Sequence, residues 1–131
     1  KKTMILVDRS SNESKKNVFL QTEKKLKEGI SIVIFPEGTV PSLDVTLGPF
    51  KHGAFSIAID HKTPIVPMTF LDNKKRFPWS YGGLLAGSKG SPGQLRVKIH
   101  DPIITKNMTK KDVNALCNKV RDIILLDLET S

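Results

Sequence analysis

The sequence predicts an α/β domain with a mixed, largely parallel sheet flanked by helices. Short apolar runs rich in β-branched residues, which are typical of buried parallel strands, alternate along the chain with segments of helical periodicity. The 131 residues are enough for one domain with a hydrophobic core, and no apolar run approaches the roughly 18 residues that a membrane-spanning helix requires. We therefore expect residues 1–131 to form a single domain.

The first part of the chain is expected to run strand, helix, strand. Residues 4–8 form a short apolar run that indicates the first buried strand. Ser10 can cap a helix over residues 11–28, and Gly29 stands where a helix often ends in the left-handed conformation. Residues 31–35 have the β-branched composition of a second buried strand. Parallel pairing of these two strands would bring both carboxyl ends to one edge of the sheet.

The middle of the chain predicts a short helix, an interrupted strand and a long connection. Residues 51–60 carry the apolar spacing of a helix. Residues 64–70 indicate a core strand, and Pro67 within it indicates a bulge or an interruption, because proline cannot donate a ladder hydrogen bond. Residues 71–93 form a connection long enough to be functional or mobile. We expect it to pack over the core; contact with a membrane or an acyl chain is the second interpretation, and nucleic acid is the third.

The last part of the chain predicts one strand and one helix. Residues 94–100 alternate between apolar and polar, which is typical of a half-exposed strand near a sheet edge. The apolar residues are expected to face the core and the basic residues to face solvent; these are Leu95, Val97 and Ile99 against Arg96, Lys98 and His100. Thr109 and Asp112 form a capping box for a helix that runs to about residue 128. Cys117 lies on the apolar stripe of this helix, so we interpret it as a core residue and not as a nucleophile.

The charge of the chain is its least ordinary property. There are 21 Lys and Arg against 13 Asp and Glu, which gives a net charge of +8 and a pI near 9.7. A basic surface suits phosphate-bearing partners such as anionic lipids, phosphorylated substrates or nucleic acid. The single cysteine excludes an internal disulfide and suits a reducing compartment. No group of residues has the spacing of a metal site.

The run 35–39 (Phe35-Pro36-Glu37-Gly38-Thr39) is the candidate site. Pro36 ends the preceding strand, so Glu37 is expected at the carboxyl end of that strand, where ligands bind in open α/β sheets. The Gly-Thr pair would turn the chain and let the backbone approach a ligand. Arg9 follows the first strand in the same way and could share a crevice with Glu37. Two other interpretations stay open: Glu37 as a cap of the next turn, and the two residues as a surface ion pair.

Four blocks of the sequence resemble those of the glycerol-phosphate and lysophosphatidic acid acyltransferase superfamily, and along the chain they follow one another in the family's order. Residues 35–39 are similar to its Phe-Pro-Glu-Gly-Thr block. The others are Ile5-Leu6-Val7-Asp8-Arg9, which resembles a strand ending in an acidic-Arg pair, Phe50-Lys51-His52-Gly53-Ala54-Phe55, which is similar to a Phe-Lys-x-Gly-Ala-Phe helix start, and Pro64-Ile65-Val66-Pro67-Met68, which resembles a block with a Val-Pro pair. One block alone is a weak signal, whereas four ordered blocks over residues 5–68 make a specific match.

The resemblance implies an acyltransferase-like fold and the activity of a 1-acyl-glycerol-3-phosphate O-acyltransferase. A fatty acyl group would move from acyl-CoA or acyl-carrier protein, as co-substrate and without a cofactor or a metal, to lysophosphatidic acid, giving phosphatidic acid in phospholipid biosynthesis. By this resemblance Arg9 would hold the substrate phosphate and Glu37 would bind the glycerol hydroxyl region. The other residues expected to bind substrate are Gly38, Thr39 and Lys51, and those expected to shape the site are Phe35, Pro36, Val66 and Pro67.

The resemblance also implies where such a protein works. Members of the superfamily are generally membrane-associated. We therefore expect the full-length protein at the cytoplasmic face of a membrane, with an anionic membrane surface and not nucleic acid as its partner. The 131-residue chain itself is expected to be soluble.

The chain departs from the family pattern in two places. The family's chemistry rests on a His and an Asp separated by four residues, and His52, His61 and His100 all lack an Asp at that spacing. We therefore assign no catalytic residue and expect the C-terminal part of a catalytic domain, inactive by itself. The usual Arg-Ser after Gly-Thr is replaced by Val40 and Pro41, so a different basic residue, such as Lys51, would hold the phosphate. Two alternatives stay open: an acyltransferase for another lysolipid or aminolipid acceptor, and a non-catalytic basic module that binds anionic membrane or nucleic acid.

Overall fold

The computed structural model of this protein describes residues 5, 12–42, 44–77 and 90–131. Arg9, Ser10 and all but one residue of the predicted first strand lie outside the described residues, as does residue range 78–89 of the long connection. The chain divides into two compact units, residues 1–34 and residues 35–131. The single domain expected over residues 1–131 stays a prediction.

The described chain combines helices with a small sheet. Its elements are α1 (Asn12–Lys27), α2 (Gly53–Asp60), β1 (Met68–Phe70), α3 (Asn73–Arg76), β2 (Val97–Ile99) and α4 (Val113–Thr130), with a 3-10 turn at Lys110–Asp112. The sheet has two strands, and Met68 lies opposite Ile99. Helices and strands together agree with the α/β class. The pairing within the described ranges is antiparallel, so the predicted parallel pairing is not found there.

Helix α1 ends as its sequence predicts. Gly29 adopts a φ of +74°, a left-handed value that glycine takes at little cost. Ile30 N donates to Lys25 O at 3.0 Å, and Gly29 N donates to Leu26 O at 3.0 Å. These bonds satisfy carbonyls that the last helical turn leaves without a partner. The predicted helix end at this glycine is confirmed.

The run 31–35 differs from its prediction as a buried strand. It forms no regular strand, and Val33 and Phe35 keep 71% and 68% of their surface exposed. β-Branched residues favour extended backbone, but a strand forms only where a neighbour supplies its hydrogen-bond partners. Among the described residues no strand pairs with this run, since β1 and β2 pair with each other. The prediction of a buried strand is therefore wrong for this structure.

Pro67 interrupts its predicted core strand, as its missing N–H requires. Ile65 forms one isolated antiparallel bridge with Ile103, and β1 begins only at Met68. Between the two, the Pro67 carbonyl accepts a hydrogen bond from His100 N at 3.0 Å. The predicted interruption at this proline is confirmed.

Strand β2 presents the opposite face from the one predicted. The apolar residues expected to face the core are exposed; they are Leu95, Val97 and Ile99. The basic residues reach buried carboxylates instead, since Arg96 binds Asp72 and Lys98 binds Asp127. A buried carboxylate without a partner costs more free energy than an exposed apolar side chain, so ion pairing decides the orientation.

Asp72 is held by both arms of the Arg96 guanidinium. Arg96 Nη2 donates to Oδ1 and Nε donates to Oδ2, both at 2.8 Å, and the backbone N adds a third bond at 2.9 Å. Asp72 is only 4% exposed. The hydrogen bonds from Arg96 hold the pKa of Asp72 well below its ordinary value. This contact fixes the start of the long connection to the chain just before β2.

Asp127 ties α4 to the sheet. Lys98 Nζ donates to its Oδ1 at 2.7 Å, and His100 Nε2 lies 3.0 Å from Oδ2 without directed hydrogen-bond geometry. Thr69, which is fully buried in β1, brings its Oγ1 within 2.9 Å of the same histidine nitrogen. The hydrogen bond from Lys98 is the main reason why the pKa of Asp127 lies below its ordinary value.

Helices α2 and α4 form the core of the second unit together with the segment that precedes α2. Phe50 and Phe55 stack with their ring centroids 6.3 Å apart. The buried cluster consists of Leu47, Phe50, Phe55, Ile59, Ile103, Val113, Leu116, Cys117 and Val120. Cys117 belongs to this cluster, so its interpretation as a core residue is confirmed.

Both predicted helices of the second unit are confirmed. Helix α2 begins at Gly53 and helix α4 begins at Val113, after the 3-10 turn. The predicted capping box is present, because the backbone N and the Oγ1 of Thr109 donate to Asp112 Oδ2 at 2.7 and 3.0 Å. None of the helices in the described ranges combines the length and the apolarity that crossing a bilayer requires.

We expect Cys117 to be unreactive while the chain is folded. Its Sγ lies 3.9 Å from the Phe50 carbonyl in the buried cluster, and burial raises the pKa of the thiol. Reaction with an aromatic disulfide reagent should therefore be slow in native buffer and fast in concentrated urea. Fast labelling in native buffer, with an unchanged circular dichroism spectrum, would contradict the core position.

The second unit should become less stable in acid, because the stabilising contact between Asp72 and Arg96 requires an ionised carboxylate. The folded-state pKa of Asp72 lies below the unfolded value of about 3.9, so the contact stabilises fully above that pH and its contribution is lost as the pH falls through the folded value. Urea unfolding at decreasing pH should show a falling free energy of unfolding. Asp72→Asn and Arg96→Met should each flatten this fall, whereas an unchanged slope in both variants would contradict the assignment.

Candidate functional site

The candidate site is organised by a turn at residues 35–38. Gly38 N donates to Phe35 O at 3.3 Å, and Pro36 and Gly38 take the second and fourth positions, which these residue types favour in β-turns. Gly38 adopts a φ of +68°, a left-handed value that other residues avoid. Glu37 takes the third position, so the turn sets the direction of its side chain.

The loop that follows, residues 37–50, is closed at its base by two hydrogen bonds, and we name it the site loop. Lys51 N donates to Pro36 O at 2.7 Å, and Gly48 N donates to Glu37 Oε2 at 2.7 Å. Compact loops whose ends are held together are frequently functional. Glu37 therefore also has a structural task, since its carboxylate closes the loop in which it lies.

The Glu37 carboxylate keeps one oxygen for other partners. The side chain is half-buried, and Oε1 has no hydrogen-bond partner among the described residues. Because Oε2 is already fixed by a backbone N–H, Oε1 can accept a hydrogen bond from a ligand hydroxyl with little further loss of side-chain entropy. A Cβ atom at Gly48 would lie 2.9 Å from Oε2, so this close approach requires glycine.

Lys51 and the start of α2 add cationic and N–H groups next to the turn. The Lys51 side chain passes over Gly38, since a Cβ atom at that glycine would lie 3.6 Å from Lys51 Cγ. The first helical bond of α2 runs from Ser56 N to His52 O, so the N–H groups of residues 53–55 have no partner within the helix. Such N–H groups beside a lysine suit an anion.

The structure brings three of the predicted substrate-binding residues together. Glu37, Gly38 and Lys51 meet at the base of the site loop. Thr39 is exposed and makes no hydrogen bond within the described part of the chain. Arg9 lies outside the described residues, so its predicted place beside Glu37 stays a prediction.

The residues expected to shape the site lie around β1. The Phe35 ring packs against the Phe70 ring, with centroids 6.1 Å apart. Val66 is exposed, and Pro67 is buried. No hydrogen bond joins either of the last two residues to Glu37 within the described ranges, so their influence on the site stays a prediction.

Two cations hold the site loop by its backbone carbonyls. Arg121 of α4 donates from Nη2 to Leu47 O at 2.9 Å and from Nε to Gly48 O at 3.2 Å. Lys74 Nζ donates to Val45 O at 3.1 Å. Neither contact was predicted, because a local pattern does not tell which distant carbonyl a cation reaches. The only indication in the sequence was that Arg121 stands directly beside the apolar stripe of α4.

A further cation closes the long connection. Arg76 donates from Nη1 to Pro92 O at 2.9 Å and from Nε to Gln94 O at 3.4 Å. Together with Lys74, it uses a cationic head group to bind the protein's own backbone. Two of the three cations in the run at residues 74–76 therefore have a structural task, since they hold backbone carbonyls of the protein itself.

An open groove of about 550 Å³ lies between the site loop and α4. Its lining is formed by Val45, Leu47, Gly48, Pro49, Phe50, His52, Cys117, Asn118 and Arg121. The described residues contain no group of three or more His, Cys, Asp or Glu side chains that could hold a metal ion.

The groups at the base of the site loop are a carboxylate, a lysine ammonium and backbone N–H groups. The carboxylate can accept a hydrogen bond from a hydroxyl, and the ammonium and N–H groups can bind an anion. This combination suits a ligand that carries both a hydroxyl and an anionic group. The described groups of this site include no histidine base in contact with Glu37.

We expect Gly38→Ala to lower the free energy of unfolding by about 1–2 kcal/mol, the usual cost of a left-handed non-glycine residue. The loss is conformational, because a Cβ atom at this position meets only ordinary contacts with Lys51. Gly38→Asn is the matched control, since Asn tolerates the left-handed region and should lose less. Urea unfolding measures both variants, and equal losses would show that backbone conformation is not the cause.

The chain resembles one protein family and several of its curated members. The sequence model of the family described as Acyltransferase matches residues 2–71, just over half of the chain. The chloroplastic 1-acyl-sn-glycerol-3-phosphate acyltransferase BAT2 of Brassica napus is 41% identical over 99 residues, which are 76% of this chain and 26% of that protein. The 1-acyl-sn-glycerol-3-phosphate acyltransferase of Saccharomyces cerevisiae is 36% identical over 107 residues, 81% of this chain and 33% of that protein. The alpha form of Homo sapiens is 28% identical over 130 residues, 93% of this chain and 41% of that protein.

The chain spans only about a quarter to two fifths of the length of these relatives. No solved structure matches it. The matched range contains the turn at residues 35–38, the site loop and Lys51, which are the parts that form the candidate site. On the family match over more than half of its length, and on the identity with the Brassica napus protein, the chain belongs to the acyltransferase family.

Proposed function

We propose that the complete protein transfers a fatty acyl group from an acyl-CoA or acyl-carrier-protein thioester to the free hydroxyl of lysophosphatidic acid, giving phosphatidic acid. One observation carries the proposal: the Glu37 carboxylate is held at the base of the site loop, inside the family-matched range, and its Oε1 has no partner among the described residues, so that it can accept a hydrogen bond from a hydroxyl. The relatives named as 1-acyl-sn-glycerol-3-phosphate acyltransferases support the choice of reaction. The reaction belongs to phospholipid biosynthesis.

In this proposal residues of this chain bind and position the acceptor. Glu37 accepts a hydrogen bond in the glycerol region, and Gly38 and Thr39 let the ligand approach the backbone. Lys51 and Arg9 bind the phosphate, where a guanidinium can hold two oxygens at once. The His and Asp that the family uses as general base and its orienting partner are not in this sequence, so we expect the 131-residue chain alone to catalyse nothing.

The proposal extends to the surroundings of the reaction. The acyl thioester is the co-substrate and no cofactor is needed, because the thioester carbonyl is already activated for transfer. We place the full-length protein at the cytoplasmic face of a membrane, since its acceptor is a lipid and the chain carries a net charge of +8 that suits an anionic surface.

The proposed fold of the complete domain is a mixed, largely parallel sheet flanked by helices. The apolar, β-branched composition of residues 31–35 supports it, although this run forms no strand in the structure. Pairing with the run at residues 4–8 would supply the hydrogen-bond partners that a strand needs.

We expect the complete protein to lose turnover when Glu37 is replaced. Thiol release from a long-chain acyl-CoA, with lysophosphatidic acid as acceptor, should fall by about a hundredfold in Glu37→Ala, because the acceptor is no longer positioned. Glu37→Gln keeps an oxygen that can accept the Gly48 N–H, so it separates the loss of charge from the loss of the loop closure. Glu129→Ala removes an exposed carboxylate of α4 and serves as the matched control.

Assays of the complete protein with a second acceptor and with anionic vesicles could contradict the proposal in two ways. Faster turnover with a lyso-aminolipid than with lysophosphatidic acid would move the acceptor assignment to that lipid, an alternative that Val40 and Pro41 keep open by replacing the usual Arg-Ser. A turnover rate that is unchanged in Glu37→Ala, together with an affinity for anionic vesicles that falls steeply as the salt concentration rises, would favour a basic binding module.

A further inference from the structure

The peptide unit that joins Leu47 to Gly48 is held from both sides by charged side chains. Its N–H, on Gly48, donates to Glu37 Oε2 at 2.7 Å, and its carbonyl, on Leu47, accepts from Arg121 Nη2 at 2.9 Å. Gly48 is buried and both bonds are part-buried, and hydrogen bonds to charged groups are stronger than those between neutral groups. A shift of this one peptide would move the carboxylate that the N–H fixes.

Arg121 donates hydrogen bonds to two consecutive backbone carbonyls. Its Nη2 donates to Leu47 O at 2.9 Å while its Nε donates to Gly48 O. The guanidinium is planar and its donors have fixed directions, so two bonds determine both the position and the orientation of the segment they hold. A lysine at this position could reach either carbonyl but could not set the orientation in the same way.

The support behind Arg121 is rigid. It lies on α4 directly after Val120, which is buried in the core cluster, and Leu47 and Phe50 of the same loop segment are buried in that cluster too. A loop whose apolar residues pack into the core and whose carbonyls bind a helix has little freedom to slide. The position of Glu37 Oε2 therefore depends on α4, although α4 lies far along the chain from residue 37.

We propose that Arg121 is a positioning residue for acyl transfer, which holds the Leu47–Gly48 backbone so that the Gly48 N–H fixes the Glu37 carboxylate toward the acceptor hydroxyl. The inference rests on the proposed function, since it assigns to Glu37 the task of binding the acceptor. Arg121 itself touches no substrate and acts through the backbone of the site loop.

The first arm of the test needs no enzymatic activity. Hydrogen exchange of the Gly48 amide, followed by NMR on the isotope-labelled 131-residue chain, reports whether its bond to Glu37 stays closed. Exchange should accelerate by about tenfold or more in Arg121→Met and in Glu37→Ala, to a smaller extent in Arg121→Lys, and not in Lys119→Met, which removes an exposed cation from the same helix. Unchanged protection of Gly48 in Arg121→Met would overturn the inference.

The second arm measures kinetics in the complete protein. Arg121→Met should raise the KM for lysophosphatidic acid and leave the KM for the acyl thioester unchanged, with partial recovery in Arg121→Lys, because the acceptor alone contacts Glu37 in the proposal. Equal effects on both KM values, together with a lower unfolding temperature, would reduce Arg121 to a structural residue and overturn the inference. If wild-type protein transfers no acyl group, the proposed function fails, and the Gly48 exchange rate still decides whether Arg121 positions Glu37.

Discussion

The carboxylate of Asp127 is the constraint on which the arrangement of the second unit depends. It is buried on α4 and is held by Lys98 and His100 from the strand segment opposite. Because a buried carboxylate must be paired, this contact decides that the basic face of β2 turns toward α4 and that its apolar face stays exposed. The same helix carries Arg121, so the ion pair that fixes α4 on the sheet also fixes the support of the site loop.

Two kinds of contact fix the position of the site loop. Apolar packing of Leu47 and Phe50 places the loop on the core, and hydrogen bonds from Arg121 to carbonyls set its orientation. The Glu37 carboxylate closes the loop from the opposite side through Gly48 N. A carboxylate with one oxygen fixed by its own scaffold is held within a small range of positions, which is what preorganised binding requires.

Several cations of the chain bind groups of the protein itself. Arg76, Lys74 and Arg121 all donate to backbone carbonyls, and Arg96 and Lys98 pair with buried carboxylates. Each of these residues therefore has a structural task in addition to its contribution to the net charge of +8, although the side chains of Arg96 and Lys98 stay about half exposed.

The sequence by itself determined the features that depend on backbone geometry within a few residues. The helix end at Gly29 and the break at Pro67 follow from which residues tolerate a left-handed φ or lack an N–H, and these were predictable. The change of chain direction at Gly38 was predictable for the same reason, but Glu37 was expected at the end of a strand and lies in the turn at residues 35–38. Only the tertiary structure decided which face of β2 turns toward α4 and what holds the candidate site. Asp127 pairs with a lysine 29 residues away and Arg121 binds a carbonyl 73 residues away, so the free energy that fixes both belongs to contacts between distant segments, which no local pattern of the sequence encodes.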